Sequence, residues 1–173
     1  MTPPLDAEGL LQRLHDAGVR YVIVGGFAVI AHGIQRSTAD LDICPDPEPE
    51  NLARLAGVLR DLEARHAEAG EFGPDEFPYE PADPAQLSEG GNFRLDTSLG
   101  GLDVMQWIRG IPGELAYPEL ARDAITAEVR GIPVSVCSRA HLVAMKRAAD
   151  RPLDRADLEQ LEDHGAAGSE PTR

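Results

Sequence analysis

The sequence predicts an α/β domain of the α+β kind, in which a mixed β-sheet is flanked by helices. Short β-branched segments alternate with amphipathic segments, but without the regular strand–helix–strand repeat that an all-parallel sheet requires. The 173 residues are enough for one hydrophobic core, and 42% hydrophobic with 27% charged residues is typical of a globular protein. We therefore predict a single domain over residues 1–165.

The N-terminal third contains three predicted helices and two predicted strands. Leu10, Leu11 and Leu14 recur at helical spacing, with Asp6 as a candidate N-cap and Gly18 at the helix end. The other elements are a strand in RYVIVGG (20–26), a short helix in FAVIAHG (27–33), a strand in DLDIC (40–44) ended by Pro45 and Pro47, and a long amphipathic helix over 49–66.

Residues 66–91 have a different composition from the rest of the chain. They are rich in glycine, proline and acidic residues, and no lysine or arginine occurs between Arg65 and Arg94. This composition predicts a long surface loop, inserted between regular elements, that is a candidate lid.

The C-terminal half is predicted to add four strands and two helices. NFRLDTS and GLDVMQWI flank LGG, which is typical of a hairpin, and AITAEVRGIPVSVCS predicts two strands around Gly131. Ser138 is a candidate N-cap for the helix RAHLVAMKRAAD, and a last helix, DRADLEQLEDHG, is predicted to end at Gly165. Residues 166–173 are predicted to be a disordered tail.

Composition also limits the classes of function. No apolar run approaches the roughly 20 residues that a membrane span needs, and the N-terminus lacks the basic segment of a secretory signal, so we expect a cytoplasmic protein without a membrane partner. Cys44 and Cys137 lie in apolar, strand-like segments and are expected to be reduced core residues. The net charge of −14 argues against general DNA or RNA binding, although it does not exclude a local basic pocket.

The segment DLDIC contains two carboxylates that face the same way. Asp40 and Asp42 are two positions apart, so on a strand their side chains share one face while Leu41 and Ile43 face the core. Two like charges this close repel unless a cation neutralises them, and Mg²⁺ prefers one or two carboxylates with phosphate oxygens and water. The alternative is an acidic strand edge that faces solvent, with Asp40 capping the turn after Thr38.

Three further features favour a site for a metal and phosphates. VIVGG ends a strand at Gly25 and Gly26 and opens a helix, which offers backbone N–H groups to phosphate. Asp103 lies between apolar neighbours on another predicted strand and would complete a two-metal site. Lys146, the only lysine, could reach phosphates as a point charge. The alternatives are an ordinary tight turn, an edge-strand aspartate and a solvated helix lysine.

Together these motifs resemble the nucleotidyltransferase fold of the DNA polymerase beta superfamily, in which a strand, Gly-Gly or Gly-Ser, a spacer and Asp-x-Asp precede a third aspartate on a later strand. Here the pattern is VGG, thirteen residues, DLDI and later LDV. A closer resemblance is to small bacterial nucleotidyltransferases related to AbiEii-type toxins. The matching residues are Gly25, Gly26, Ala28, His32, Gly33, Arg36, Thr38, Asp40 and Asp42, then Lys146, Ala149, Arg151, Asp154 and Asp157. Without the resemblance, Asp154 and Asp157 suit a capping-box-like start to the last helix.

The resemblance implies a role for each site residue. Asp40 and Asp42 would hold Mg²⁺ or Mn²⁺ on the triphosphate of an NTP, expected to be ATP, and Asp103 would be the third ligand and help to activate an attacking hydroxyl. The residues implied to meet the phosphates are Gly25, Gly26, Arg36, Thr38 and Lys146. His32 is expected to pack or to support the site rather than to bind metal. The implied reaction is in-line displacement at the α-phosphate with release of pyrophosphate.

Two functions from different classes follow. The first is an active nucleotidyltransferase that moves NMP to a hydroxyl of tRNA or of a partner protein, as part of a toxin–antitoxin or phage-defence pair. The second is a catalytically silent module of the same fold that binds nucleotide or a protein partner. The three intact aspartates favour the first, and the acidic net charge favours a protein or small-molecule acceptor over RNA.

Overall fold

A computed structural model describes residues 2–67 and 79–167, which form a seven-stranded mixed sheet flanked by helices. The helices are α1 (Ala7–Asp16), α2 (Gly25–Ala31), α3 (Pro49–Asp61), α4 (Pro84–Ser88), α5 (Tyr117–Arg122), α6 (Arg139–Ala149) and α7 (Pro152–Ala167). The strands are β1 (Tyr21–Val24), β2 (Asp40–Pro45), β3 (Arg65–His66), β4 (Asn92–Thr97), β5 (Gly100–Met105), β6 (Ile125–Val129) and β7 (Ile132–Val136). The predicted α/β class with a mixed sheet is confirmed.

The strand order places β2 and β5 beside each other in the middle of the sheet. The order is β3-β4-β5-β2-β1-β7-β6, with parallel pairing between β2 and β5 and between β1 and β7, and antiparallel pairing elsewhere. Strands β2 and β5 are far apart in the chain, so their parallel pairing brings two distant aspartate motifs to one region of the sheet.

Most predicted elements of the first half are confirmed, with their caps. The carboxylate of Asp6 accepts a hydrogen bond of 2.9 Å from the backbone N–H of Gly9, which satisfies one free donor at the start of α1. Leu10, Leu11 and Leu14 are fully buried in the core. The polar, charged positions between them face outwards, so the amphipathic pattern indicates the correct helix face.

The predicted long helix over 49–66 is wrong at its C-terminal end. The helix α3 ends at Asp61, Glu63 adopts a left-handed φ of 52°, and Arg65–His66 form the short strand β3. This strand pairs with β4, where Arg65 lies opposite Asp96. The apolar helical periodicity stops at Leu62, and pairing with the sheet edge then stabilises an extended backbone instead of another helical turn.

The predicted surface loop over 66–91 is also wrong in part, since its C-terminal end is ordered structure that packs on the core. Asp83 caps α4 by accepting a hydrogen bond of 2.9 Å from the N–H of Ala85, and Leu87 is fully buried. Residues 68–78 lie outside the described residues. One buried leucine in an otherwise polar segment is therefore enough to anchor this helix against the domain.

The C-terminal elements agree with the predictions except at their ends. The hairpin of β4 and β5 and the hairpin of β6 and β7 are confirmed, and Ser138 caps α6 by accepting from the N–H of His141 at 3.2 Å. The short helix α5 was not predicted. The last helix begins at Pro152, earlier than predicted, and continues past Gly165, so the predicted end there is wrong. The rest of the predicted tail, 168–173, lies outside the described residues.

Both cysteines are confirmed as buried, unpaired core residues. Cys44 on β2 and Cys137 after β7 are fully buried and free. Burial raises the pKa of each thiol to about 12. No helix in the described part of the chain is long and apolar enough to cross a membrane.

Candidate active site

The three predicted aspartates lie on one face of neighbouring parallel strands. Asp42 on β2 is the direct register partner of Asp103 on β5, and Asp40 is the partner of Gly101. Neighbouring strands are about 4.8 Å apart, so the carboxylates start from adjacent backbone positions. Burial alternates along both strands, because Leu41, Ile43 and their counterparts on β5 face the core while the aspartates face outwards.

The electrostatics of this face reflect the crowding of like charges. Burial first, and then the neighbouring charges of Asp103 and Asp40, raise the pKa of Asp42 to about 7. Burial and the charge of Asp40 raise the pKa of Asp103 to about 6, although Arg94 acts in the opposite direction. Protonation or a bound cation relieves such repulsion.

The donor set fits a hard divalent cation. All three side chains supply carboxylate oxygens, the ligand type that Mg²⁺ and Mn²⁺ prefer, and they are partly buried on a rigid sheet. The oxygens of the three aspartates are spaced more widely than those of another group of potential ligands. Among the described residues, only Glu119, Asp123 and His141 each offer one ligand atom such that all three atoms lie within 4.8 Å of one another. Their role as metal ligands stays a prediction.

The cluster of Glu119, Asp123 and His141 is a separate feature, on α5 and at the start of α6. Arg122 already pairs with Glu119 at 2.6 Å and with Asp123 at 3.1 Å, and His141 Nε2 lies 3.3 Å from Glu119. The carboxylates are therefore neutralised by a guanidinium. None of these residues lines the clefts described below.

Gly25 and Gly26 open α2 directly beside Asp42. Gly25 has a φ of 64°, and a Cβ atom there would collide with the Asp42 carboxylate. A Cβ atom on Gly26 would lie 2.5 Å from Thr38 Oγ1. The backbone N–H of Gly26 donates a hydrogen bond to Asp42, which lowers the pKa of that carboxyl. Only glycine therefore permits this close approach of the turn to the aspartates.

Lys146 is not the solvated helix lysine that the sequence left as an alternative. It is 6% exposed, and its Nζ lies 3.0 Å from Asp154 Oδ1 and 2.8 Å from Asp157 Oδ2. Arg36 Nη1 lies 2.6 Å from the same Asp157 oxygen. Both cations that were predicted to meet phosphates are thus paired with carboxylates of α7, although both also line the cleft.

The capping interpretation of Asp154 is correct, but it describes only half of the residue's contacts. Asp154 Oδ2 accepts a hydrogen bond of 3.1 Å from the backbone N–H of Arg151, just before α7. The same carboxylate binds the Arg151 side chain at 2.7 Å as well as Lys146. Asp154 therefore joins the start of α7 to the middle of α6.

The remaining predicted residues have local partners. Thr38 Oγ1 donates to the backbone carbonyl of Asp40 at 3.1 Å, so it braces the turn before β2. His32 Nε2 lies 2.8 Å from the carbonyl oxygen of Cys137, which agrees with the expected packing role.

Two residues near the site, Arg94 and Trp107, were not predicted from the sequence, and a third, Arg151, was matched to the motif without a role. Arg94 on β4 is the register partner of Asp103. Arg151 lines the aspartate cleft together with Asp42, and its hydrogen bond to Asp154, with a smaller contribution from the charge of Asp42, raises the pKa of the guanidinium. Trp107, just after β5, is 53% exposed. The alternation of NFRLDT does place Arg94 on the outward face of its strand, so this signal was present in the sequence.

Two clefts meet at the aspartates. The first, of about 740 Å³, contains the glycine turn, all three aspartates and residues of α6 and α7, and we call it the aspartate cleft. The second, of about 1220 Å³, is lined by residues 2–5 and by the outward faces of β3 and β4, and we call it the N-terminal cleft. Both clefts are lined by Thr38, Asp40, Arg94 and Asp103. A molecule in each cleft could therefore reach the same carboxylates.

No family model and no curated protein sequence matches this chain. Solved structures do resemble it. The lincosamide antibiotic adenylyltransferase LnuA, with lincomycin bound, has a TM-score of 0.61 and 14% identity over 94% of this chain and 99% of its own. ANT(2'')-Ia in complex with adenylyl-2''-tobramycin has a TM-score of 0.53 and 19% identity over 92% of each chain. A nucleotidyltransferase-like protein from Paracoccidioides brasiliensis has a TM-score of 0.54 and 16% identity, over 94% of this chain and 78% of its own.

These likenesses extend over nearly the whole chain and agree with the mixed sheet described above. The narrower resemblance to AbiEii-like proteins stays a prediction. The chain has the nucleotidyltransferase fold.

Proposed function

We propose that this protein is a divalent-cation-dependent nucleotidyltransferase that moves NMP from an NTP, with ATP as the expected donor, to the hydroxyl of an acceptor. The observation that carries the proposal is the register of the three aspartates. Asp42 and Asp103 are direct cross-strand partners, Asp40 shares their face, and the glycine turn packs against Asp42. Paired carboxylates beside a glycine turn are suited to a metal-bound triphosphate.

The two clefts suggest where donor and acceptor bind. The aspartate cleft contains Gly25 and Gly26 with Arg36, Lys146 and Arg151, so it suits the polyanionic triphosphate. The N-terminal cleft is left for the acceptor, and the residues shared by both clefts lie where the two substrates would meet.

Bound Mg²⁺ or Mn²⁺, held by Asp40, Asp42 and Asp103, would neutralise the phosphate charge that grows during transfer. The chain's own residues position the reactants. The acceptor oxygen forms a bond to the α-phosphorus, the bond from that phosphorus to the leaving oxygen breaks, and pyrophosphate departs with the electron pair. Asp103 is suited to accept the hydroxyl proton, because it lines both clefts and so lies where the acceptor would meet the donor.

The sequence motifs, the net charge and the structural neighbours point to different acceptors for the NMP. The AbiEii-like motifs support a tRNA or a partner protein, in a toxin–antitoxin or phage-defence pair. The net charge of −14 disfavours a polyanion, and the two antibiotic-related enzymes of the same fold were solved with lincomycin and with an adenylylated tobramycin. Small hydroxyl compounds of those kinds therefore belong in the test beside tRNA and protein.

A catalytically silent, nucleotide-binding module is the second candidate. Its support is that Lys146 and Arg36 are already paired with Asp154 and Asp157, which reduces the positive charge left for a triphosphate. This module would bind nucleotide and transfer nothing.

The experiment is a transfer assay with each α-labelled NTP and Mg²⁺ or Mn²⁺, with tobramycin, lincomycin, total tRNA and a candidate partner protein as acceptors. Asp42→Asn keeps an oxygen for the Gly26 N–H and removes the charge, so it should abolish transfer while the apo protein stays at least as stable. Asp163→Asn, at an exposed position on α7, is the matched control and should transfer like wild type. Equal transfer by wild type and Asp42→Asn would refute the mechanism, and nucleotide binding without any transfer would favour the silent module.

A further inference from the structure

Trp107 is a large apolar side chain on the wall of the aspartate cleft. It is the only tryptophan of the chain and is 53% exposed, although it lies two residues after a strand whose alternate residues are buried. Tryptophan is highly buried on average, so an indole this open in a cleft is a candidate contact for a ligand.

The backbone at Trp107 is held firmly while the ring remains open. Asn92 Nδ2 donates to the carbonyl oxygen of Trp107 at 2.8 Å, and the Trp107 N–H donates to Asn92 Oδ1 at 3.0 Å. The preceding residue, Gln106, is buried and donates from Nε2 to the carbonyl of Leu87 at 3.0 Å. The ring edge lies against Gly90, where a Cβ atom would be 3.3 Å from the indole nitrogen. The backbone that carries the ring is therefore held by β4, and the indole lies beside Gly90 before any ligand arrives.

The surroundings of the ring suit a planar, uncharged group attached to an anion. Trp107 and Leu153, which is 56% exposed at the start of α7, both line the aspartate cleft. Arg94 and Arg109 line the same cleft, as do the glycines of the turn beside Asp42. An apolar region and a polar, metal-binding region in one cleft match the two ends of a nucleotide.

We infer that Trp107 is a stacking platform for the nucleobase of the NTP, an inference that rests on the proposed function. The triphosphate would lie at the aspartates and the glycine turn, and the base against the indole. Stacking does not depend on base hydrogen bonds, so this platform would accept any of the four bases. A sugar ring of the acceptor could also lie against the indole, and the experiment separates the two.

Fluorescence of the single tryptophan reports directly on this contact. Each of the four NTPs with Mg²⁺ should quench the emission of the wild-type protein, whereas inorganic tripolyphosphate should bind without quenching. Tobramycin and lincomycin, added without nucleotide, should leave the emission unchanged. Quenching by tripolyphosphate to the same extent, or by an acceptor compound alone, would overturn the inference.

Substitutions test the energy of the contact. By calorimetry, Trp107→Ala should weaken NTP binding by roughly 5- to 150-fold, which corresponds to about 1–3 kcal/mol, and leave tripolyphosphate binding unchanged. Trp107→Phe should keep most of the affinity, and it serves if the alanine variant folds poorly by circular dichroism. Ile125→Ala is the matched control, because Ile125 is also an exposed apolar side chain, at 40%, but lies on β6, outside the aspartate cleft.

The failure of this inference differs from the failure of the proposed function. If wild type binds NTP with no quenching, and Trp107→Ala binds it equally well, the nucleobase lies elsewhere and the transferase proposal is unaffected. If wild type binds neither NTP nor tripolyphosphate with Mg²⁺, the proposed function and the platform are both overturned.

Discussion

Replacing Lys146 by methionine tests the buried ion pairs between α6 and α7. The substitution preserves the length and apolar stem of the side chain but removes the ammonium group, which lies 3.0 Å from Asp154 and 2.8 Å from Asp157. The side chains of the two aspartates are 0% and 3% exposed, so water cannot replace the lost cation without local opening.

The expected cost follows from the partners that remain. Removing one member of a buried pair typically costs about 3–5 kcal/mol. Asp154 keeps Arg151 at 2.7 Å and Asp157 keeps Arg36 at 2.6 Å, which favours the lower end, about 3 kcal/mol. For a chain of this size that loss lowers the melting temperature by roughly 6–12 °C.

Urea denaturation followed by circular dichroism measures this cost. Arg147→Met is the matched control on the next residue of α6. Arg147 pairs with Glu162 at the surface, where the two side chains are 64% and 57% exposed. Surface ion pairs of this kind contribute about 0–1 kcal/mol to stability. A destabilisation by Lys146→Met no larger than that of Arg147→Met would refute the reasoning and restore a free lysine that is available to phosphate.

Two further predictions concern buried ionisable groups. Burial raises the pKa of Asp154, but hydrogen bonds from Arg151 and Lys146 outweigh it and hold the pKa at about 2, below the ordinary 3.8. This stabilisation is complete above about pH 4, and roughly 2 kcal/mol of it is lost as the pH falls towards 2. In urea titrations the free energy of unfolding should therefore fall more steeply with decreasing pH in wild type than in Asp154→Asn. An equal pH dependence in the two proteins would contradict the prediction. Burial raises the pKa of the Cys44 and Cys137 thiols to about 12. Ellman's reagent at pH 8 should therefore modify neither thiol in the native protein but both thiols in urea. Fast labelling of the native protein would contradict their burial.

The predictable parts of the fold are those that depend on local pattern. Apolar spacing and caps identified α1 through Asp6, and turn residues identified the two hairpins. The end of α3 was mispredicted because the decisive interaction, pairing of Arg65 with Asp96, joins positions 31 residues apart. Helix α4 was missed because its contacts with the domain, the buried side chain of Leu87 and the hydrogen bond from Gln106 to the Leu87 carbonyl, leave little trace in a segment of polar composition.

The candidate site likewise has features that the local sequence pattern predicts and features that depend on contacts between distant parts of the chain. The period of two along a strand correctly placed Asp40 and Asp42 on one face, and the apolar neighbours of Asp103 indicated a further strand that lies beside them. The ion pairing of Lys146 was not predictable, because a lysine beside apolar helix positions looks the same in sequence whether it reaches solvent or a buried carboxylate. The exposure of Trp107 likewise depends on how β4 holds the end of β5.

The shared carboxylate of Asp157 connects the two sides of the aspartate cleft. It accepts from Arg36, in the loop that leads into β2, and from Lys146, on α6, while itself belonging to α7. The loop before the aspartates and the two C-terminal helices therefore hold one another through a single buried anion. Because Arg36 and Lys146 line the cleft as well, a triphosphate that draws either cation towards itself must weaken this junction. Lys146 and Arg36 thus have a structural role before any substrate binds, because each is already paired with a carboxylate of α7.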